Sequence, residues 1–323
     1  LMVGSVFELV LADLYREGWD AEARELQTAT ERRMAVWLKM PFPYGSEFAW
    51  DSTGHEEIST WMLRFGRHDE ARQTKDAVTA YVSATPHWAY CGSARRWWDF
   101  TINGAHSRGN ERVMHHYAAT LNSVPLYDHA MREVTNPWLW RLAHCAGGGS
   151  LTNIRSDGSA SMGFHGDPDQ LFHDGYSADF GVGFYGHWKN AGSYVVCGGA
   201  DLGLFCMDCD VVWSAAGVGA DEGSARAGAC AARGHIKVIT RDAFGRRLYL
   251  QPLGLLIVSD GVKIESAEVT WSADVRRTKL QLRPAHAGAT HAMITVTADG
   301  SSAPAGAKRS VRLRCESPCE LER

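Results

Sequence analysis

Phe244-Gly-Arg-Arg-Leu-Tyr-Leu-Gln-Pro-Leu-Gly-Leu-Leu-Ile-Val-Ser-Asp-Gly261 decides how the second half of the chain folds. It reads as a hairpin series. Short apolar β-formers lie on either side of a break, and Asp260-Gly261 has the composition of a tight turn. The pattern extends outward in both directions. Ser193–Cys197, Gly203–Cys206, Val211–Trp213, His235–Thr240, Arg247–Gln251, Leu253–Ser259 and Val262–Thr270 are candidate strands, followed by Lys279–Arg283, Ala292–Thr297 and Ser310–Arg314. Many short strands with turn signals between them predict a β-sandwich. The Gly/Ala/Ser-rich piece Ala215–Ala232 reads as an insert, and Ala298–Ala307 as a loop.

Upstream of Ser193 the period changes. Val6, Leu9, Val10 and Leu14 recur at helical spacing, and Gly18 ends that stripe. Asp20 is placed to cap a second helix through Ala23, Leu26, Met34, Trp37 and Leu38, which Pro41 stops. Thr53-Gly-His-Glu56 has capping-box spacing and opens a helix carrying Ile58, Trp61, Met62 and Phe65, ended by Gly66. Asp69 starts another, and further helices are predicted over Glu111–Leu121, Tyr127–Cys145 and Ser177–Asn190. Helices in succession without strands between them predict stacked helical hairpins: a bundle, a solenoid or a toroid. No fixed internal period carries a repeated signature, which disfavours a simple solenoid. The expectation is an α+β chain of two domains, helical over 1–192 and β-rich over 193–323.

Composition narrows the class. The chain has 323 residues, 45% hydrophobic and 22% charged, an ordinary globular balance. Lys+Arg 33 against Asp+Glu 37 leaves a net charge of −4, which argues against a general nucleic-acid binder. No run is long and apolar enough for a membrane span. The first residue is Leu1, inside an apolar helical pattern, so the chain reads as the C-terminal part of a longer protein, whose localisation its N-terminus does not give; a secreted parent is compatible with this reading. Twelve tryptophans are the unusual count. They serve either a large helical core or stacking platforms, for which sugar rings are a common client. Eight cysteines permit disulfides without demanding them. Cys206-Met-Asp-Cys209 has the spacing of a zinc knuckle, but its potential partners Cys315 and Cys319 are more than 100 residues away, at a different spacing. Disulfides or free thiols are expected there, and no metal.

Three segments carry the polar and aromatic chemistry. In the first, Pro41-Phe-Pro-Tyr44-Gly-Ser-Glu-Phe-Ala-Trp50-Asp51-Ser-Thr-Gly-His-Glu56-Glu57, carboxyl groups crowd beside Tyr44, Trp50 and Trp61 at a helix start. Glu56 and Glu57 suit the positive helix terminus, which is enough to explain them as caps. A carboxyl group beside aromatic rings is also the environment that makes a general acid. The second runs from Arg95 to Asn122 and holds Trp97, Trp98, Glu111, Arg112, His115, His116 and Tyr117. Helical spacing would put Glu111, His115 and Asn122 on one face. The third, Gly163–His187, is rich in Gly, aromatics, His and Asp, as cleft loops are, and includes Asp179, Tyr185 and His187. Its His165, Asp169 and His173 lack a tight metal-ligand signature. No Gly-x-Ser-x-Gly elbow follows a strand, and no phosphate loop ends in Lys-Ser/Thr.

Phe42-Pro-Tyr-Gly-Ser-Glu-Phe-Ala-Trp-Asp-Ser-Thr-Gly-His-Glu-Glu57, His115-His-Tyr with Leu121-Asn and Pro125-Leu, and Phe244–Gly254 together resemble a little-characterised microbial and fungal group of six-hairpin, (α/α)6-toroid carbohydrate-active enzymes. The resemblance covers roughly residues 5–285. It implies an incomplete (α/α)6 helical-hairpin toroid followed by an antiparallel β-sandwich. It also implies a poly- or oligosaccharide substrate and no cofactor. On that reading Glu56 or Glu57 is the acid and Asp51 the base of a glycoside hydrolase, with Glu111 or Asp179 as the partner if the first group supplies only one catalytic carboxyl. Trp50, Trp97 and Trp98 would be sugar platforms, and Tyr44, Tyr185 and His187 further contacts. A polysaccharide lyase would instead use His115, His116 or Tyr117 as base, with Asn122 or Arg112 neutralising a uronate. A non-catalytic sugar-binding remnant is the third reading.

Overall fold

The computed structural model describes residues 7, 10–11, 13–15, 17–41, 52–79, 113–114, 116–133, 136–148, 156–159, 164–165, 187–198, 202–213, 233–272, 274–286, 291–298, 308–314 and 319–322. The chain divides into two compact units. One comprises Leu1–Ala130 with Trp138–Asn190, the other Met131–Pro137 with Ala191–Arg323.

Among the described residues of the first unit, five helices have defined bounds. In α1, Asp20–Trp37, the buried residues Ala23, Thr30, Met34 and Trp37 recur along one stripe, and Asp20 and Glu22 meet the positive helix start. Trp19, not Asp20, is the capping position. Helix α2, Ser52–Arg64, is different: Ile58 through Leu63 are buried in unbroken succession. A helix buried on every side has neighbours on every side. Trp61, fully buried, stacks on Phe65 at 5.7 Å. Gly66, at φ +73, ends the helix in a conformation that costs glycine nothing, while Arg67 N donates to Met62 O at 2.7 Å. Helix α3, His68–Thr79, follows at once. Helix α4, His116–Ala130, runs through Pro125 and is buried continuously from Ser123 to Ala130. Helix α5, Pro137–Gly148, opens on a proline, whose missing N–H is no loss at that position. Strands β1, Val113–Met114, and β2, Phe164–His165, form a short antiparallel pair in the same unit.

The second unit holds two sheets. A six-stranded sheet has the order β12-β11-β8-β7-β3-β4, and a five-stranded sheet the order β13-β10-β9-β6-β5. The strands are β3 Ser193–Cys197, β4 Leu204–Met207, β5 Cys209–Trp213, β6 Gly234–Thr240, β7 Arg247–Leu250, β8 Leu255–Asp260, β9 Val262–Trp271, β10 Arg276–Pro284, β11 His291–Ala298, β12 Lys308–Arg314 and β13 Cys319–Glu322. One apolar core joins Val195, Leu248, Ile257 and Ile294 of the first sheet to Ile236, Ile264, Val269 and Leu280 of the second. Gly261, at φ +78, turns β8 into β9. Tyr249 is buried and its hydroxyl donates to Met131 O at 3.2 Å, which ties the Met131–Pro137 segment to this unit.

The architecture corrects the one expected. Among the described residues no helical toroid forms, and sheet dominates. Helical periodicity reports which face of each helix is buried, not how successive helices are arranged, so it could not distinguish a toroid from other packings. The first 190 residues are not free of strand, because β1 and β2 pair within them. The β-rich part is not wholly antiparallel either: β3 and β7 run parallel, with Tyr194 opposite Tyr249. The single helix expected over Tyr127–Cys145 is two, α4 and α5.

Candidate functional site

Parts of all three polar-aromatic segments fall in described elements of the first unit. The first leads into α2, whose opening turns carry Glu56 and Glu57. The second leads through β1 into α4, whose opening turns carry His116, Tyr117 and Asn122. The third holds β2 and ends at the helical residues 187–190.

Specific bonds join these elements. Ser59 Oγ of α2 lies 3.1 Å from His129 Nε2 of α4. One residue on, Thr60 Oγ1 donates to Asp128 Oδ2 at 3.2 Å. All four residues are buried, at 0–8% exposure, so they hold the two helices together and do not meet a substrate. Asn190 Nδ2 donates to Ser123 Oγ of α4 at 3.3 Å. His187 Nδ1 donates to Gly147 O of α5 at 2.9 Å. A carbonyl only accepts, so the Nδ1 proton is fixed and Nε2 is the acceptor nitrogen of the neutral ring. At Gly147 α5 packs on α4 with room for a methyl group: a Cβ there would stand in ordinary contact, 3.6 Å from the Tyr127 ring and 3.8 Å from Ser123 Cβ. Finally, β1 and β2 set Val113 opposite His165 and Met114 opposite Phe164, which brings the second and third segments side by side.

These contacts place the predicted residues unevenly. Glu56, Glu57, His116, Tyr117 and Asn122 are located by the backbones of α2 and α4. His187 is located with its side chain, half-buried against α5. Tyr44, Trp50, Asp51, Trp97, Trp98, Glu111, Arg112, His115, Asp179 and Tyr185 lie outside the described residues. The helical face expected to carry Glu111, His115 and Asn122 together does not form. β1 ends at Met114 and α4 begins at His116, so the first two positions precede the helix that bears the third. Sequence reasoning missed the Ser59–His129 and Thr60–Asp128 pairs. Their signal was present: adjacent polar residues inside the apolar runs Ile58–Leu63 and Val124–Met131 are expensive unless each finds a partner.

Among the described residues, no group of three or more His, Cys, Asp or Glu side chains is placed to hold a metal ion. Nor is any helix among them long and apolar enough to cross a membrane. In α5 the Cys145 thiol is pushed above its usual range by burial, against the opposing pull of Arg141, so it is a poor nucleophile.

No curated protein and no solved structure matches the chain. A family match covers nearly its whole length, residues 1–314, and displaces the resemblance to six-hairpin enzymes, whose helical toroid is also absent from the described residues. The chain belongs to that family, described as a family of unknown function, DUF5695.

Proposed function

We propose that the chain acts on a poly- or oligosaccharide, hydrolysing a glycosidic bond with two carboxyl groups as acid and base. The observation that supports this reading is the β1–β2 pair, which sets Val113 of the second segment opposite His165 of the third in the unit that also holds α2, the helix bearing Glu56 and Glu57. Helix α2 is bonded to α4, which bears His116, Tyr117 and Asn122, and His187 at the end of the third segment is bonded to α5.

Acid–base hydrolysis needs one protonated carboxyl to assist the leaving oxygen and one ionised carboxyl to activate water or attack. Glu56 or Glu57 serves as the acid and Asp51 as the base, with Glu111 the partner from the second segment if only one of the first three acts. The helix start favours an ionised group, while neighbouring indole rings favour a neutral one. Two carboxyls in such unequal settings titrate apart, as an acid and a base must. Tyr44, Trp50, Trp97 and Trp98 offer rings for sugar stacking, and Arg112, Tyr185 and His187 polar contacts.

The chemistry of the products tests the reading. The chain is incubated with neutral and uronic polysaccharides, and reducing ends and near-ultraviolet absorbance are followed together. Hydrolysis gives new reducing ends without absorbance, and Asp51→Asn or Glu56→Gln abolishes them. Absorbance that grows, survives in Glu56→Gln and is lost in His115→Ala identifies a lyase and overturns the proposal. Binding without any new ends identifies a sugar-binding protein.

A further inference from the structure

Cys206-Met-Asp-Cys209 stands where the chain leaves one sheet for the other. β4, which ends at Met207, belongs to the six-stranded sheet, and β5, which begins at Cys209, to the five-stranded one. The only residue between the strands is Asp208, at φ +53, a left-handed conformation that a non-glycine residue adopts at a cost. Three donors hold it there. Ser193 Oγ, Arg241 N and Asp242 N all donate to Asp208 O, at 2.7, 2.8 and 3.2 Å. The corner turns both cysteines inward: Cys209 belongs to the core between the sheets, and Cys206 packs against it while keeping some exposure. Both thiols are free. Cys206 Sγ donates to the backbone oxygen of Cys209 at 2.6 Å, which draws it toward its neighbour, and Cys209 Sγ stands 3.4 Å from Met207 O and 3.7 Å from Tyr194 O.

We propose that Cys206 and Cys209 are a reversible dithiol–disulfide site that staples the two sheets at the Asp208 corner, oxidised by a low-molecular-weight disulfide. The exposed partner reacts first. The Cys206 thiolate attacks the small disulfide, forms a mixed disulfide and releases one small thiol. Cys209 then attacks the Cys206 sulfur, the internal bond closes, and the second small thiol leaves. The two protein thiols are oxidised by two electrons, the small disulfide is reduced to two thiols, and the two protons pass to them. Cys197 is not the partner. It lies diagonally across from Cys206, since β3 pairs with β4 through Val195–Cys206 and Cys197–Leu204. A diagonal pair stands about 7–8 Å apart, against roughly 3.5–4.5 Å between the Cβ atoms of a disulfide. Burial pushes both thiols above the usual range, so the reaction waits on a scarce thiolate and speeds up about tenfold per pH unit while the thiol remains the major form.

The test holds the folded chain at mildly alkaline pH in graded ratios of oxidised to reduced glutathione, quenches with acid, alkylates and digests with trypsin. Asn190–Arg226 carries Cys197, Cys206 and Cys209 on one peptide. The expected product lacks two hydrogens and carries one alkylated cysteine, Cys197. Cys209→Ser should stop the reaction at a glutathione adduct on Cys206. Three alkylated cysteines at ratios that close a control dithiol would overturn the proposal. So would an accumulating adduct on Cys206 beside an alkylated Cys209 in the unaltered chain, or a bond to Cys197.

Discussion

Ser59→Ala is the sharpest probe of how α2 is held against α4. It removes one oxygen from a fully buried position without changing the helix and leaves His129 Nε2 without a hydroxyl that stands 3.1 Å away. A neutral hydrogen bond contributes about 0.5–1.5 kcal/mol, so the loss should fall in that range. His129→Ala also opens a cavity, so its single-variant cost mixes packing with bonding. The double-mutant cycle removes the packing contribution, and the coupling between Ser59 and His129 should be about 0.5–1.5 kcal/mol. Urea titration followed by tryptophan fluorescence is suited to the measurement, since buried Trp61 sits on α2 and buried Trp140 on α5. The midpoint should fall while the slope is unchanged. The exposed Arg72–Asp69 pair provides the contrast, with side chains 62% and 85% exposed, and Arg72→Ala should cost well under about 1 kcal/mol. A Ser59–His129 coupling within about 0.3 kcal/mol of zero would refute the bond and the helix pairing built on it.

Two further predictions concern the sheet unit. Gly234→Ala would place a Cβ 2.3 Å from the Trp271 ring across the β6–β9 pair, so overpacking should cost about 1–3 kcal/mol; an unchanged urea midpoint would show the ring moves aside freely. Tyr194, fully buried, has its hydroxyl pushed above the usual range by burial, against the opposing pull of Arg247. The raised group leaves stability intact below the unfolded tyrosine value near 10. Above it, stability falls by about 1.4 kcal/mol per pH unit until the folded group also ionises. Tyr194→Phe should remove that contribution to the alkaline loss, and an unchanged slope would contradict the burial argument.

The strands from β3 to β12 fall on runs that β-forming residues and the turn residues between them pick out, because both signals are local in the sequence. Gly18 and Gly66 likewise end helices where the sequence placed their ends, both at positive φ. What the sequence did not reveal was arrangement. β1 and β2 pair two residues with two across some fifty positions, too short to leave a period. Pro137 marks the start of α5, and the single helix expected over Tyr127–Cys145 runs across it. Pro125, which ordinarily stops a helix, is carried inside α4, where the helix is buried from Ser123 to Ala130. The candidate segments were recognisable by residue type. The bonds between the helices that follow them were not, because they join residues far apart in the chain, such as Thr60 and Asp128, 68 positions apart.

The pH dependence of reducing-end release, measured for the unaltered chain, Asp51→Asn and Glu56→Gln, tests the carboxyl pair most directly. A paired acid and base give a bell-shaped profile. Asp51→Asn should remove the acidic limb, because the base no longer has to ionise, and Glu56→Gln the alkaline limb, because no proton donor remains to be lost. Residual rates in both should be at least about a hundredfold lower. Full activity with an unaltered bell in both variants, or no reducing ends from any neutral or uronic polysaccharide, would contradict it.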